Sequence, residues 1–209
     1  MRLDAVEAAV EWTRAESRRR GLKTITWWLG WSATPADVRD RLLELGLVPD
    51  EVPTLTGMTC TSPPPVVPDV DVRPVTTFDE LLAGLVVDWD VWNVDADEHI
   101  EQRAVEEARW SPPGIGNAVR HYIAVVDDKP VGFARGIDMD QGVALFGGAV
   151  LPEARGRGVY RALVRARWEH AAERGAPLLV VQAGEMSAPV LAQLGFESHG
   201  QLQLLVDRL

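Results

Sequence analysis

Cysteine is all but missing from this 209-residue chain, in which Cys60 stands alone. One thiol cannot form an intramolecular disulfide, so the fold must rest on its apolar core, and a reducing cytoplasm is the expected location. An excess of basic charge is missing too. The formal net charge is -10, which argues against nonspecific nucleic-acid binding and against an anionic membrane surface. No apolar run reaches membrane-spanning length, and the charged N-terminal residues lack the apolar centre of a signal peptide. The histidines and the single cysteine fall at no metal-ligand spacing, so no metal is expected. What is present is ordinary for a globular protein: 46% apolar and 25% charged residues, enough to bury a core. The length suits one large domain, or a medium one with a smaller companion.

The proline-rich run Ser62-Pro-Pro-Pro-Val-Val-Pro68 divides the chain. Four prolines in seven residues favour a stiff extended spacer, so we take residues 62–69 as a linker between segments 1–61 and 70–209. In the first segment, Asp4 is placed to cap a helix on which Leu3, Val6, Val10 and Thr13 recur at helical spacing, ended by Gly21. Alternation of Ile25, Trp27, Leu29 and Trp31 predicts a strand. Thr34 as N-cap, Pro35 at the first helical position and Gly46 at the end frame a second helix. A strand within 53–60 completes a small α/β unit, with Trp27, Trp28 and Trp31 read as packing residues.

Beyond the linker the pattern predicts a strand at 70–75 and a helix opened by a Thr77/Glu80 capping box. A second helix follows from near Asp95 to Trp110, then strands at 121–127, 131–139 and 143–151. The third of these strands breaks at Pro152, turns through Arg155-Gly-Arg-Gly158 and enters a helix from Val159 to about Glu173. Such a helix start presents unpaired N–H groups and a positive dipole end. With arginines added, it reads as a phosphate site. A strand at 178–182, a short helix ending at Gly195 and a last strand within 201–206 close the order β-α-α-β-β-β-α-β-α-β. A dinucleotide fingerprint does not fit, because Arg161 stands where its third glycine would fall.

This order, with Arg155-Gly-Arg-Gly158 after Val150-x-Pro152 and Leu194-Gly-Phe196 near the end, resembles the GCN5-related N-acetyltransferase (GNAT) family over residues 70–209. The resemblance implies a mixed, mostly antiparallel sheet flanked by helices, an α/β fold of α+β type, with acetyl-CoA as cosubstrate and an amine as acceptor. Carried over residue by residue, it puts the pyrophosphate on the N–H groups from Arg157 through Val159 to Tyr160. Arg155 and Arg157 would make charge-assisted contacts there, while Gly156 and Gly158 permit close approach. The pantetheine arm would follow Ala149, Val150 and Leu151, with an N–H near Val150 polarising the thioester carbonyl. Gly147-Gly148 is read as a bulge or a close approach.

Where the family usually has glycine or alanine, this chain has Tyr160. The tyrosine that often protonates the departing thiolate falls on Leu191, and a frequent asparagine falls on Gly184. The sequence therefore leaves the catalytic groups open. Glu185, Asp138 and Asp140 are candidate bases, with Glu98 and His99 behind them. Trp89 and Trp92 could shape an acceptor pocket or simply pack. The expected activity is direct acetyl transfer to a primary amine, and the acidic balance leans towards a cationic acceptor. The alternative is a catalytically degenerate acyl-CoA sensor or scaffold. A homodimer is compatible with either.

Overall fold

The computed structural model describes residues 5–51, 54–111 and 118–209. They divide into two compact units that do not follow the chain in order. One gathers residues 1–58, 182–192 and 198–209; the other holds residues 59–181 and 193–197. The proline-rich run thus sits near a unit boundary, but the first unit also takes in C-terminal residues. The leading positions Leu3 and Asp4, the start of the strand expected from 53, and the loop at 112–117 lie outside the described residues.

In the first unit, helix α1 (Val6–Arg19) and helix α2 (Val38–Glu44) bury Val6, Val10, Val38 and Leu42 with Leu47 and Leu205. Strand β9 (Glu197–Arg208) pairs antiparallel with β1 (Thr24–Leu29) and with the short β2 (Val48–Pro49), and has β3 (Leu55–Cys60) as a further neighbour. Helix α2 begins later than the sequence suggests. Asp37, not Thr34, is its N-cap, because Thr34 is drawn into a β-bridge and the Val38 N–H bonds to the Pro35 carbonyl, forming a turn ahead of the helix.

The second unit is built on an antiparallel run of strands: β4 (Asp71–Pro74), β5 (Val119–Val126), β6 (Lys129–Met139) and β7 (Gly142–Val150). Parallel to β7 runs β8 (Leu179–Ala183), paired at Val143–Leu179, Ala144–Val180 and Leu145–Val181. The fold is therefore mixed α/β with a mostly antiparallel sheet and flanking helices, as the sequence implied. Alternation along the strands separates two cores. Ile123, Phe133 and Ala149 meet Leu81, Leu85 and Trp89 of helix α3 (Phe78–Trp92) on one face. On the other, Tyr122, Ala124 and Ala134 cluster with Val159 and Leu163 of helix α5 (Val159–Glu173). Helix α4 (Ala96–Arg109) follows α3, and α6 (Ala188–Gln193) precedes β9. The Thr77 hydroxyl accepts the Glu80 N–H at 3.2 Å, while the Glu80 carboxylate takes the N–H of Thr76 at 2.9 Å. This is the expected capping box, shifted by one residue in its return bond. Among the described residues no helix is long and apolar enough to cross a membrane.

A buried ion pair fixes the first unit. Arg14 donates Nε and Nη2 to the two Asp207 oxygens, both at 2.8 Å, and Nη2 also reaches the Leu45 carbonyl at 2.9 Å. The Asp207 side chain is 2% exposed, so loss of its partner leaves a charge in a dry site. Replacing Arg14 with Met is expected to cost about 3 kcal/mol in urea unfolding. A change below 0.5 kcal/mol, on the order of a surface pair, would show that the site is wetter than its geometry indicates.

Candidate functional site

The end of β7 is where local sequence departs most from regular structure. Pairing with β6 shifts register between Ala134, opposite Gly148, and Arg135, opposite Phe146. Gly147 is the extra residue, a bulge at φ +64°. Both readings of the glycine pair are realised. Gly147 takes the left-handed conformation, and a Cβ on Gly148 would lie 2.9 Å from Cε2 of Tyr160, inside contact distance. Pairing with β8 ends at Leu145, so among the described residues β7 has no strand partner on that side from Phe146 to Val150. The Leu151 N–H bonds inward to the Val131 carbonyl at 3.0 Å. By strand alternation, the Val150 N–H then faces the open edge.

This edge leads, through a short 3₁₀ turn at Pro152–Ala154, into the Arg155–Gly158 loop. Helix α5 begins with Gly158 at φ +83°, no side-chain cap and no acidic residue in its first turn. The Ala162 N–H is already bonded to the Gly158 carbonyl, which leaves the N–H groups of Val159, Tyr160 and Arg161 ahead of it unpaired within the helix. Among the described residues Arg157 meets only exposed Asp127 at 3.3 Å, and Arg155 only the Val150 carbonyl at 3.4 Å. Such exposed contacts are weak and readily exchanged for an anion. A Cβ on Gly156 would meet no atom within 4 Å, while one on Gly158 would lie 2.7 Å from Val67 Cγ1. The proline-rich run is therefore not a free spacer here. Val67 packs on the loop, and the buried Pro64 accepts Arg165 Nη1 through its carbonyl at 2.7 Å.

Two guanidinium groups bracket the bulge. On the α3 face Arg135 lies over the Phe133 ring and donates to Asp88 at 2.9 Å. Its Nη1 is 3.2 Å from where a Gly147 Cβ would stand. On the α5 face Arg167 is fully buried and, among the described residues, bonded only to main-chain carbonyls: Leu163 at 2.9 Å, Arg135 at 3.1 Å and Gly147 at 3.3 Å. Its Nη2 is buried without a partner. Burial pulls this arginine down to about 10, with Tyr160 and Tyr122 acting the other way. It remains a cation at neutral pH. Sequence reasoning overlooked Arg167, yet its position was a signal. It continues the Tyr160, Leu163, Val164, Ala171 stripe at helical spacing, so its side chain had to point inward.

A cavity of about 520 Å³ opens on the α3 face, lined among others by Phe146, Arg135, His121, Trp110, Arg109 and Glu106. His121 stacks on Phe133 at 5.6 Å and is lowered to about 4, first by burial and then by Arg135. It is neutral at physiological pH.

The structure gathers only part of the expected site. Ala149, Val150, Leu151, Arg155, Gly156, Arg157, Gly158, Val159 and Tyr160 form one continuous edge, loop and helix start. Asp138 lies instead at the far end of β6, opposite Val143. There it takes Arg120 at 3.2 Å, His170 at 2.8 Å and Arg174 at 3.4 Å. Asp140 is exposed in the adjoining turn. Six strand residues lie between Val143 and Val150, a span of roughly 20 Å, so neither carboxylate reaches the open edge. Glu185 is exposed after β8, in the other unit. Trp89 is buried, stacked on His99 at 4.4 Å and bonded to Gln102, and Glu98 accepts from Gln102 in turn. Trp92 is exposed and donates to Asp88. Neither tryptophan lines the cavity, whose aromatic wall is Trp110 and Phe146. Among the described residues no His, Cys, Asp and Glu group is arranged to hold a metal ion.

Comparison with known proteins gives this arrangement a class. The acetyltransferase (GNAT) family profile matches residues 85–196, more than half of the chain. Among solved structures, a GCN5-related N-acetyltransferase from Kribbella flavida superposes with a TM-score of 0.76 at 18% identity, covering 99% of this chain and 77% of that one. A functionally unknown conserved protein from Staphylococcus epidermidis gives 0.69 at 14% identity, covering 96% and 79%. A GCN5-related N-acetyltransferase from Sphaerobacter thermophilus gives 0.67 at 17%, covering 99% and 69%. At such identities the likeness is one of fold. No curated protein matches in sequence. The chain belongs to the acetyltransferase (GNAT) family.

Two outcomes test the geometry. Gly158→Ala should lower the urea midpoint more than Gly156→Ala. Both strain a positive φ, by roughly 1 kcal/mol, but only the first displaces Val67. His121 adds a pH dependence with a defined sign. Its native value lies below the unfolded one, so the unfolded chain takes up the proton first, and stability falls as pH drops from about 6.5 to about 4. His121→Gln should flatten that part of the stability curve. An unchanged slope would place the titration elsewhere.

Proposed function

We propose that this protein is an acyl-CoA-dependent N-acyltransferase that moves an acetyl group from acetyl-CoA to a primary amine by direct attack. The observation that carries this reading is the unpaired edge of β7, with the Val150 N–H facing out, running into the uncapped N-terminus of α5. The extended pantetheine arm contains amides that can bond to such an edge as an added strand would. The pyrophosphate then falls on the N–H groups of Gly156 to Tyr160, flanked by Arg155 and Arg157. The Val150 N–H is the donor that stabilises charge developing on the thioester oxygen.

The cavity beside Phe146 supplies the acceptor side. Its size suits a small molecule, and its wall mixes Trp110, Val75, Leu81 and Ile137 with three arginines against one glutamate. The local charge is opposite to the net charge of the chain, and with it the preference for a cationic acceptor drawn from bulk composition lapses. An amine attacks only when neutral, and an alkylamine of ordinary pKa near 10.4 is protonated at pH 7. One carboxylate is put forward to receive its proton, directly or through water: Glu106 on the cavity wall. A sensor that binds acyl-CoA without efficient turnover is the second reading, favoured by the fully buried Leu191 at the position where a proton donor is common in the family.

Calorimetry with acetyl-CoA, and thiol release across a panel of primary amines, test both. Binding that weakens at least about tenfold in the Arg155→Ala, Arg157→Ala double variant is expected, since each lost charge-assisted contact is worth about 1 kcal/mol or more. These exposed positions are cleaner probes than Gly158→Glu, which would also strike Val67. No binding by the native protein rejects the acyl-CoA reading. Binding without amine-dependent thiol release leaves the sensor.

A further inference from the structure

We infer that Tyr160 donates the proton to the departing CoA sulfur, on a strand that the buried guanidinium of Arg167 holds in its bulged form. The inference rests on the acyl-CoA reading above. The chain has two tyrosines. Tyr122 is buried in the core between β5 and α5, where its phenol is pushed up to about 12 by burial. Tyr160 is the phenol at the end of β7, on the face of the sheet that α5 covers. Its ring lies flush on the Cα of Gly148, one residue past the bulge. Only glycine leaves room for it there. A group bonded to the outward N–H of Val150 would lie two residues along the same edge. The phenol is half-buried and raised above its ordinary value, first by burial, and it carries its proton at neutral pH.

Arg167 fixes the strand on which this ring rests. It lies seven residues further on α5, two turns along the same face, and its long side chain points back towards the helix start, as helical side chains do. The Nε bond to the Leu163 carbonyl shows that direction. From there the guanidinium grips the carbonyl of Gly147, the bulged residue itself, and keeps Nη2 without a protein partner. Among the described residues no carboxylate pairs with this buried cation, which makes it costly. Its field favours anionic charge next to the bulge. Arg167 is therefore a positioning residue, acting through the strand on which the Tyr160 ring rests.

The step balances as follows. The amine nitrogen bonds to the thioester carbon, the carbon–sulfur bond breaks, and its electron pair goes to sulfur. The Tyr160 O–H proton moves to that sulfur to give the free thiol. The nitrogen releases its proton to water, and the phenolate regains one from water, so no oxidant or further reactant enters.

The test uses the full chain with CoA and with desulfo-CoA, neither of which needs a known acceptor. Calorimetry gives the affinities, and the ultraviolet absorbance of the thiolate gives the ionisation of the bound thiol. The native protein is expected to hold the CoA thiol more acidic than free CoA. Tyr160→Phe should raise it by about one pKa unit, a tenfold loss of thiolate, with desulfo-CoA affinity and melting temperature unchanged. A thiol that ionises alike in both proteins overturns the role of Tyr160 and leaves the acyl-CoA reading intact. Equal loss of CoA and desulfo-CoA affinity in the variant would make Tyr160 a packing residue, which also overturns it. If the native protein binds neither ligand, the acyl-CoA reading itself has failed.

Discussion

A single buried guanidinium holds the centre of the second unit together. Arg167 takes the carbonyls of Leu163, Arg135 and Gly147, the last of which a regular ladder would have used and the bulge sets free. A carbonyl left in a dry core costs a large part of a hydrogen bond. The bulge at Gly147 thus depends on a donor reaching it from the helix side, and only an arginine has the length and the fork to serve three acceptors at once. The other departures follow from the bulge. The Val150 N–H turns outward, the edge beyond Leu145 lies open, and Gly148 is set against the Tyr160 ring. Helix packing, strand irregularity and the chemistry of the edge form one arrangement.

Part of this was legible in the sequence, for reasons that differ from place to place. Arg155-Gly-Arg-Gly158 announces a loop and helix start because local backbone demands, positive φ and an uncapped terminus, leave local residue signatures. The Gly147-Gly148 pair announced a bulge on the same grounds. Asp138 shows the limit. Its position at the end of a strand beside the glycine-rich segment gave no sign that Arg120, His170 and Arg174 converge on it from other elements, since an ion-pair cluster is a tertiary fact. The acceptor cavity was illegible for a related reason. Trp89 and Trp92 have the same spacing whether they line a site or pack, and it is the register of β5 with β6 that brings His121 and Arg135 to the cavity instead.

The proline-rich run was also half read. Its composition correctly suggested an extended chain without a place in the ladder, but not that Pro64 and Val67 would lie along α5. Polyproline geometry exposes carbonyls at regular intervals, and Arg165 uses one of them. The stiffness that suits a spacer also suits a strap.

The ion pair between Arg14 and Asp207 has a consequence for how the chain comes into being. The first unit begins with residues 1–58, yet the strand that carries Asp207 and buries Leu205 against Val6 and Val10 belongs to residues 198–209. During synthesis the N-terminal helices can pack on each other through Val6, Val10, Val38 and Leu42, but Leu205 and Asp207 reach them only after residues 59–181 have left the ribosome. Residues 59–181, which contain the bulge, the loop and the strap, are complete long before. A stop shortly before β9 would therefore strip the opening helices of Leu205 and of the partner of Arg14, so that the damage of a late truncation falls on the opening of the chain as well as on its end.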